Sequence, residues 1–596
     1  MSDRMGGMTE AGTWAVSRTR RRRAGLWTLL ALVSFFWTLP VFATDYFVDA
    51  TDGRDSNTGL MSNEAWKTVA KVNGFTGFQA GDQVFFMRGE VWHEALKIPA
   101  SNLTFGAYGS GDLPVIDATV PVTGWVSLGG NIYSMSWPSR PGVLFYKGEP
   151  MAEITTLRFD APVPPSLAPG AVLLQIQSPL YTNLWVTARG RYTVSGITRY
   201  RDRIATNVDV LVRQLDANGR EQQWSTPLGR PTIVTTTDGL TRPGDWTWDG
   251  DTLYLYSDVD PDTIAVEAST IVTGIDTKGH DDLTLTALRV RGAGGVGILL
   301  NNSSRVTVSG VEVYGSGLLS HQTSILLLSS SNCRVENSRV ESVLGGGLTI
   351  YAWGTAARNN IVSGNIFDRI GSGGISLSTD GGGQSAPSLV TGNLIENNTI
   401  QEADRLVYDA AGIYTLFSGT GNVIRGNAIR HGGSSRLRSA GIMVDQGSGP
   451  LRIENNLVSG NSNGGIAVSS AGHTLTGNQL LYNGATSWAT AQMVFFPSGT
   501  TAADCTVTSN YFQAGSGQNL FYVQPGTTNG HTIDFNEYHD GTSRPFSWNS
   551  WSPSVTDFAG WQQASGRDTH STYSRTSPPR PPADFRVLGG AYLLLL

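Results

Sequence analysis

A short pattern that recurs along the second half of the chain constrains its fold more than any other feature. The pattern is an apolar residue, two variable residues, an asparagine, one variable residue and a second apolar residue. It occurs at Ile395–Ile400, Ile424–Ile429, Ile453–Val458, Leu475–Leu480, Val507–Phe512 and Ile533–Tyr538, and with the asparagine one place later at Ile361–Ile366. The spacing between copies varies, so insertions must lie in loops outside the repeating unit. A constant asparagine with variable loops predicts a parallel solenoid, in which equivalent side chains stack from coil to coil.

A second column of residues supports the same interpretation. A glycine followed by isoleucine or leucine opens a short alternating segment at Gly297-Ile298, Gly347-Leu348, Gly374-Ile375, Gly412-Ile413, Gly441-Ile442 and Gly465-Ile466. The alternation predicts strands whose opening isoleucine or leucine points inward, together with the residue two places later. Earlier copies of the first pattern carry a hydroxyl, at Thr286, Ser309 and Ser338. Asparagine suits the first column because it tolerates the left-handed backbone conformation and its amide can bond to its neighbours.

Short motifs flank the repeats on both sides. On the N-terminal side they are Tyr46-Phe47-Val48-Asp49, Gly53-Arg54-Asp55-Ser56-Asn57, Ala65-Trp66-Lys67-Thr68 and Gly81-Asp82-Gln83-Val84, and on the C-terminal side Ala559-Gly560-Trp561 and Ser565-Gly566-Arg567-Asp568-Thr569-His570-Ser571. With these motifs and the two columns, the chain resembles the right-handed parallel β-helix superfamily of pectate lyases, alginate and chondroitin lyases, polygalacturonases and mannuronan epimerases. The resemblance implies an all-β solenoid that acts on polysaccharides. It does not imply one reaction, because one fold hosts many chemistries.

The predicted organisation has five parts. Residues 1–43 read as a signal peptide, 44–117 as an N-terminal cap and first coil, 118–275 as an inserted β-rich subdomain, 276–545 as the parallel β-helix, and 546–596 as a C-terminal exit segment with a proline-rich tail. Within the cap, residues 64–73 predict a short amphipathic helix with Ala65, Val69 and Val72 on one face. This helix would cover the open end of the solenoid.

The N-terminus has the features of an export signal. Five arginines between residues 18 and 23 precede an apolar run from Leu26 to Phe42, and Val41-Phe42-Ala43 fits a cleavage site, so the mature chain would start near Thr44. We therefore predict a secreted or periplasmic protein. The alternative is an uncleaved anchor, because the run approaches membrane-spanning length. Arg22-Arg23 also weakly resembles a twin-arginine signal.

Composition and cysteine usage agree with a chain of short strands and tight turns. Charged residues make up only 15% of the chain, glycine occurs 72 times and the formal net charge is −6. An acidic chain argues against a nucleic-acid partner, because phosphate binding needs a basic face. Cys333 and Cys505 align six coils apart, which is roughly 29 Å and too far for a disulfide. We predict two buried free thiols.

The longest loops that lead into the glycine-initiated strands lie in the middle of the repeat region, at residues 401–411 and 430–440. These loops are rich in charged residues. Register places Asp409 over Arg438, one coil apart. The outward columns beside them are predicted to read Thr349, Ser376, Tyr414, Met443, Ala467 and Tyr351, Ser378, Leu416, Asp445, Ser469. Concentrated charge and long loops in one place mark a candidate site. The candidate catalytic carboxyls are Asp380, Glu402, Asp404, Asp409 and Asp445. The candidate substrate-binding residues are Tyr351, Trp353, Tyr414, His431 and Arg438.

Each candidate also has an ordinary structural role. A carboxylate can be a turn or cap residue, Asp409 and Arg438 can form a structural ion pair, an aromatic ring can simply pack, and a loop histidine can simply be solvated. We predict a glycoside hydrolase with paired carboxylates on the outer face. The alternatives are a polysaccharide lyase or epimerase acting on uronate polymers with an arginine base and Ca²⁺, and a non-catalytic carbohydrate-binding surface protein. No lysine follows Lys278, so the repeats supply no lysine base.

Metal and partner predictions are limited. Asp49, Asp52 and Asp55 have a spacing reminiscent of a Ca²⁺ loop, although no bidentate glutamate follows at the required place and the same residues form ordinary turns. Zinc is not expected, because no histidine or cysteine cluster has ligand spacing. The expected partner is a polysaccharide substrate. No membrane association is expected after removal of the signal, and a monomer is expected.

Overall fold

The repeating unit of the protein is a coil of three short strands, and the coils stack so that equivalent strands pair in parallel. The computed structural model describes residues 43–159, 237–318, 323–379, 389–406, 410–433, 439–484, 491–540, 545–551 and 556–575, and between 160 and 236 only a set of strands. The predicted signal peptide at 1–43 and the proline-rich tail therefore lie almost wholly outside the described residues.

Three long parallel sheets, named A, B and C here, run the length of the solenoid. Sheet A contains Asp45–Val48, Gln83–Met87, Thr104–Tyr108, Thr284–Thr286, Thr307–Ser309, Arg334–Glu336, Ile361–Ser363, Leu394–Glu396, Val423–Arg425, Arg452–Glu454, Thr474–Thr476, Thr506–Thr508 and Thr532–Asp534. Sheet B contains Val91–Trp92, Val115–Asp117, Arg289–Arg291, Glu312–Tyr314, Arg339–Val343, Ile366–Ile370, Thr399–Gln401, Ala428–Arg430, Leu457–Ser459, Gln479–Leu481, Tyr511–Ala514, Glu537–Asp540 and Thr572–Ser574. Sheet C contains Leu96–Lys97, Thr273–Asp276, Val296–Asn301, Thr323–Leu328, Gly346–Ala352, Ile375–Thr379, Ala410–Leu416, Ser439–Val444, Gly464–Val468, Ala491–Phe495, Asn519–Val523 and Phe546–Trp548.

The core follows from the alternation of the strands. In one coil, Ile395 of sheet A, Ile400 of sheet B and Ile413 of sheet C are all fully buried. Their partners in the next coil are Ile424, Ile429 and Ile442, so branched side chains stack on themselves along the axis. Each buried isoleucine favours the folded state by about 1.5–3 kcal/mol over exposure to water.

The asparagine column forms a continuous ladder at the corner between sheets A and B. Its members are Asn365, Asn398, Asn427, Asn456, Asn478, Asn510 and Asn536, all buried. The Asn398 Nδ2 atom donates to Asn427 Oδ1 at 3.0 Å and to the Val362 carbonyl at 2.9 Å, while the Asn398 backbone N–H donates to the same Oδ1 at 3.0 Å. A corner residue with two amide donors and an oxygen that accepts twice satisfies backbone groups that would otherwise be buried without partners.

One detail of the predicted ladder is wrong. The left-handed conformation belongs to the residue before each ladder asparagine, as at Asn397, Gly426 and Asn455, and not to the ladder residue itself. The ladder residue must point its amide inward, so the tight turn falls one place earlier. Glycine or asparagine, which both tolerate positive φ, fills this earlier position from Gly364 to Gly477, and Ser509 and Phe535 fill it in the last two coils.

A second corner, between sheets C and A, contains both cysteines. Cys333 and Cys505 are buried free thiols, six coils apart in the column of residues that precede the sheet A strands. The same column includes Asn360, Asn393 and His473. Burial raises the pKa of each thiol to about 11, so both cysteines are protonated, inert parts of the core, as predicted.

The inserted segment is β-rich. Its four described sheets are all antiparallel. One contains Glu149–Met151, Leu144–Tyr146, Val266–Ser269 and Thr119–Pro121, and another contains Trp246–Asp249, Thr252–Tyr256, Ile132–Ser136 and Val126–Gly129. The remaining strands are Ile154–Phe159, Tyr192–Ile197 and Thr232–Ile233 in one sheet, and Leu184–Val186, Val172–Ile176, Asp209–Leu215 and Glu221–Pro227 in another. The coils resume at Thr273, slightly before the predicted boundary, because residues 273–276 already pair with Val296–Asn301.

Short helices cover both ends of the solenoid. Helix α1 is Val69–Gly74, later than predicted, because the Asp55 carboxylate holds the backbone N–H groups of Lys67 and Thr68 before the helix begins. At the other end, α2 (Phe558–Ser565) buries Trp561. Solenoid strands continue past the predicted limit at 545, with Phe546–Trp548 and Thr572–Ser574. Single 3₁₀ turns occur at Ser62–Glu64, Thr237–Gly239 and Pro261–Thr263. No helix in the described ranges is long and apolar enough to cross a membrane.

Candidate functional site

The outer face of sheet C carries the predicted columns in the predicted register. Thr349 pairs with Ser376, Ser376 with Tyr414, Tyr414 with Met443 and Met443 with Ala467. The neighbouring column runs from Tyr351 through Ser378 to Leu416, and Asp445 follows the strand that pairs next. The C-terminal ends of the sheet C strands therefore form one edge of the solenoid, which we call the C-terminal edge of sheet C.

Asp445 is the best-supported carboxylate on this edge. The Tyr414 hydroxyl donates to its Oδ2 at 2.7 Å, and the Ser469 hydroxyl and the Gln446 backbone N–H donate to its Oδ1 at 3.1 and 2.7 Å. These donors come from three consecutive coils. The side chain is only 6% exposed, so its orientation is fixed by the solenoid and not by solvent.

A small hairpin borders Asp445. Its strands are Pro497–Ser498 and Thr500–Thr501. The Thr500 hydroxyl accepts from the Gly447 backbone N–H at 3.2 Å and donates to the Ser469 carbonyl at 2.7 Å. A side chain at Gly499 would collide with Gln446, so the hairpin packs closely against the residues that hold Asp445.

Two aromatic residues lie on the same edge, three coils before Asp445. The Tyr351 and Trp353 rings meet edge to face, with centroids 6.5 Å apart, and the Trp353 side chain is 62% exposed. Three coil spacings put this pair about 14 Å from Asp445 along the solenoid. An exposed aromatic ring offers a flat apolar surface with a polar atom at its rim.

Glu402, Asp404 and His431 lie at the other end of the sheet C strands, between sheets B and C. The Glu402 backbone N–H donates to the Arg430 carbonyl, and the His431 backbone N–H donates to the Ser459 carbonyl, both at 3.1 Å. Their side chains are exposed, whereas Asp404 is fully buried. The intervening strand Ala410–Leu416 spans about 20 Å. The structure thus separates these three candidates from Asp445.

Glu402 and His431 belong to a column of left-handed residues on neighbouring coils. Arg369, inside the sheet B strand Ile366–Ile370, aligns with Glu402 and His431, which directly follow theirs, and all three have positive φ. Arg405 lies 3.9 Å from the Glu402 carboxylate, and both groups are exposed, so this ion pair contributes little to stability.

The sequence interpretation missed an ion-pair network on sheet B beside this column. Arg339 contacts Glu341 at 2.5 Å and Asp368 at 3.5 Å, while Arg369 contacts Glu341 and, at 3.0 Å, Asp368. The arginines hold the pKa of Glu341 below its usual range, chiefly through the Arg339 hydrogen bond. The alternation of arginine and acid at paired positions of sheet B was the available signal.

The inserted segment packs against sheet B next to this network. The Tyr314 hydroxyl donates to the Gly148 carbonyl at 3.1 Å. Arg291 pairs with Asp117 at 2.9 Å and with Glu267, and its guanidinium lies 4.3 Å from the centre of the Phe145 ring. These contacts hold the insert against sheet B, beside the coils that carry Arg369.

Asp380, Asp409 and Arg438 lie outside the described residues. Their predicted roles, and the predicted pairing of Asp409 with Arg438, stay predictions from the sequence.

Two of the three carboxylates proposed for Ca²⁺, those of Asp49 and Asp55, have protein partners. The Asp49 carboxylate accepts from the backbone N–H groups of Thr51 and Asp52, and the Asp55 carboxylate accepts from Lys67 and Thr68. Within the part of the chain that the structure describes, no group of three or more histidine, cysteine, aspartate or glutamate residues is arranged to hold a metal ion. The Asp49 contacts form a local turn, the Asp55 contacts hold the segment before α1, and Ca²⁺ binding stays a prediction.

Comparisons with known proteins agree with this architecture. The family model described as "Right handed beta helix region" matches residues 254–400 and 296–480. No curated protein matches the chain. Among solved structures, XylC in complex with xylose is 13% identical, with 90% of this chain and 87% of that chain covered and a TM-score of 0.52. The GH136 lacto-N-biosidase from Eubacterium ramulus is 12% identical over 89% and 68%, with a TM-score of 0.41. PfbA, a surface adhesin of Streptococcus pneumoniae, is 11% identical over 87% and 95%, with a TM-score of 0.43.

The family match and the similarity to XylC confirm the predicted fold class, an all-β right-handed parallel β-helix.

Proposed function

Since the chain is a right-handed parallel β-helix protein, we propose that it is a secreted or periplasmic enzyme that hydrolyses glycosidic bonds in a polysaccharide. The observation that carries the proposal is the C-terminal edge of sheet C, where a fixed carboxylate, Asp445, shares one edge with the exposed Tyr351–Trp353 pair. A solenoid presents a long, shallow surface of this kind to an extended polymer. XylC, whose structure was solved with xylose, makes a sugar a reasonable ligand to test.

Hydrolysis by this route needs two carboxyl groups. The bond between the anomeric carbon and the bridging oxygen breaks, and that oxygen takes a proton from a carboxylic acid. Water supplies the new hydroxyl on the anomeric carbon and returns a proton to a carboxylate. Asp445 accepts hydrogen bonds at both oxygens, which suits the role of nucleophile or base. Asp380 stays the sequence-based candidate for the second carboxyl.

Recognition of the sugar is assigned to the aromatic pair. Trp353 and Tyr351 would stack on the apolar face of a sugar ring while hydroxyl-rich coils such as Ser376–Ser378 border the same surface. Glu402, Asp404 and His431 have no part in this site, because they lie at the opposite end of the strands.

A non-catalytic carbohydrate-binding protein is the second candidate. The burial of Asp445 favours it, since a carboxylate that is 6% exposed with both oxygens bonded can serve as a structural anchor for Tyr414 and Ser469. A Ca²⁺-dependent lyase or epimerase is a further outcome of the same test, with Arg405, Arg430, Arg436 or Arg438 as the base.

The test compares four proteins: the full chain, Asp445→Asn, Asp404→Asn and Tyr351→Ala. Each is incubated with soluble xylan, mixed-linkage β-glucan, polygalacturonate and alginate, with and without EDTA, while reducing ends and the absorbance of unsaturated uronate are followed together. We expect reducing ends without new absorbance, their loss in Asp445→Asn, and their retention in Asp404→Asn, which serves as the matched control at the other end of the sheet.

Other outcomes separate the candidates. A rise in both signals that EDTA abolishes would replace the hydrolase with a lyase. Binding of a polymer without either signal, weakened by Tyr351→Ala and unchanged by Asp445→Asn, would identify a binding protein. Loss of hydrolysis in Asp404→Asn but not in Asp445→Asn would move the site to the corner between sheets B and C.

A further inference from the structure

Two tryptophans stand apart from the rest by their exposure. Trp551 is 67% exposed and Trp353 is 62% exposed, the highest values among the large apolar side chains that the structure describes. By contrast Trp66, Trp246 and Trp561 are fully buried. An exposed ring of this size offers a flat apolar face on which a sugar ring can stack.

Both tryptophans follow the same column of sheet C by three residues. Sheet C pairs Ile350 with Leu377, Leu377 with Thr415 and Thr415 with Val444. The same column then runs from Val444 through Val468, Phe495 and Val523 to Trp548. Trp353 lies three residues after Ile350, and Trp551 lies three residues after Trp548. Seven coil spacings separate them, which is about 34 Å.

Asp445 lies between them on the same edge, directly after Val444. It is three coils from the Trp353 coil and four coils from the Trp551 coil, or about 14 Å and 19 Å along the axis. A carboxylate with an exposed aromatic ring on each side has the layout of a site in which a polymer continues in both directions from the reacting bond.

We propose that Trp353, Asp445 and Trp551 lie along one binding site for an unbranched polysaccharide strand that runs parallel to the solenoid axis. The inference rests on the proposed function. It adds the orientation of the polysaccharide relative to the solenoid axis, a second aromatic contact, and cleavage at an internal bond of the polysaccharide. A short oligosaccharide reaches only one of the two rings, whereas a strand longer than about 34 Å reaches both.

The test measures binding in the Asp445→Asn background, so that the polymer is not consumed. Asp445→Asn alone and with Trp353→Ala, Trp551→Ala or both changes are run by affinity electrophoresis in soluble xylan, mixed-linkage β-glucan, polygalacturonate and alginate. Phe535→Ala is the matched control, since Phe535 is 60% exposed but lies between sheets A and B. We expect each tryptophan variant to weaken binding of the retarding polymer roughly fivefold or more, with Phe535→Ala unchanged.

Product size gives a second measurement. The Asp445-intact protein should release long fragments first, and Trp551→Ala should slow cleavage of the polymer more than cleavage of its short oligosaccharides. Unchanged polymer binding and cleavage in Trp551→Ala, with weakened binding in Trp353→Ala, would overturn this inference and leave the proposed function intact. No binding of the parent protein to any of the four polymers would contradict both.

Discussion

At the residue scale, the most informative contact is the hydrogen bond from Tyr414 to Asp445. It joins two consecutive coils and is 2.7 Å long. We expect Tyr414→Phe to lower the turnover rate about tenfold or more, because a hydrogen bond to a charged group is worth roughly 1.5–3 kcal/mol. The melting temperature should change little, since the ring is kept. Steady-state rates on the polymer identified above, with circular dichroism as the fold control, check this. An unchanged rate would assign Asp445 a structural role.

Buried His473 makes a prediction about acid stability. Burial lowers the pKa of His473 to about 4 from 6.5. Since the unfolded chain binds this proton more readily, the stabilising contribution is complete above pH 6.5 and is lost as the pH falls towards 4. The difference amounts to about 3 kcal/mol. The cause is that the ring is fully enclosed, with Nε2 next to the Ser470 hydroxyl at 2.9 Å and Nδ1 facing the Leu451 backbone N–H.

The test replaces His473 with asparagine, which occupies the same column at Asn360 and Asn393. We expect His473→Asn to reduce the loss of unfolding free energy between pH 7 and pH 4.5, measured by urea denaturation. His431→Asn, at an exposed position, is the control and should follow the parent. Equal pH dependence in His473→Asn and the parent would show that other groups govern acid unfolding.

At the scale of the element, the asparagine ladder is the feature that holds the corners of sheets A and B. Removing one interior member breaks hydrogen bonds to buried groups on two neighbouring coils. Asn427→Ala takes away the side-chain partners of the Asn398 backbone N–H and the Ile395 carbonyl. It also removes one of the two hydrogen bonds that the Asn456 side-chain oxygen accepts. We expect a loss of about 2–5 kcal/mol in unfolding free energy, measured by chemical denaturation. Asn397→Gly is the matched control, because glycine already fills the equivalent left-handed position at Gly426. A loss under 1 kcal/mol would mean that the corner reorganises around water.

The ladder also shows why the fold could be predicted from the sequence. A parallel solenoid repeats each position of the coil, so one spacing rule at Asn398, Asn427 and Asn456 reports the same buried corner several times. The register of sheet C followed in the same way, since Ser376, Tyr414 and Met443 are each one place after a glycine-linked isoleucine or leucine. A single short segment does not identify a strand by itself, but the same pattern repeated in successive coils does.

The site could be predicted only in part, because its residues do not repeat. Spacing along the chain brought Glu402 and Asp445 into one cluster, whereas the strand between their loops separates them by about 20 Å. A loop that leads into a strand lies at its first residue, whereas Asp445 follows the last residue of its strand, so strand length sets this separation. The Arg339–Glu341–Arg369 network was missed because outward columns were predicted only for the glycine-initiated strands of sheet C, although Ser338 directly precedes its strand on sheet B.

At the scale of the whole molecule, a parallel solenoid has two open ends. At each end the last strands lack a pairing partner, and the stacked core would be exposed to water unless it is covered. Exposed strand edges can pair with another copy of the chain. At the N-terminal end, Val69 and Val72 of α1 cover the core. At the C-terminal end, Trp561 of α2 lies against Phe521, Phe546 and Trp548, with ring centroids 5.2–5.3 Å apart.

The C-terminal cap is also tied to the asparagine ladder. Asp568, fully buried, accepts from the Trp561 indole N–H at 2.7 Å, from the Tyr538 hydroxyl at 3.1 Å and from Asn536, the last ladder member, at 3.3 Å. Burial raises the pKa of Asp568. The Asp568 side chain thus ends both the polar ladder and the aromatic stack. Loss of the cap should therefore destabilise the last coils as well as α2.

We therefore expect Trp561→Ala to cost about 3–5 kcal/mol in unfolding free energy, the range for removing a large buried aromatic side chain. It should also raise the fraction of dimers and larger species, because Phe521 and Phe546 become accessible at an open sheet end. Chemical denaturation and light scattering after size exclusion measure the two effects. Trp353→Ala, an exposed tryptophan far from the cap, should change stability by less than about 0.5 kcal/mol. A strongly destabilised Trp561→Ala that stays monomeric at every concentration would show that the cap supplies packing energy alone, and that the end strands are kept from pairing by their own twist and charge.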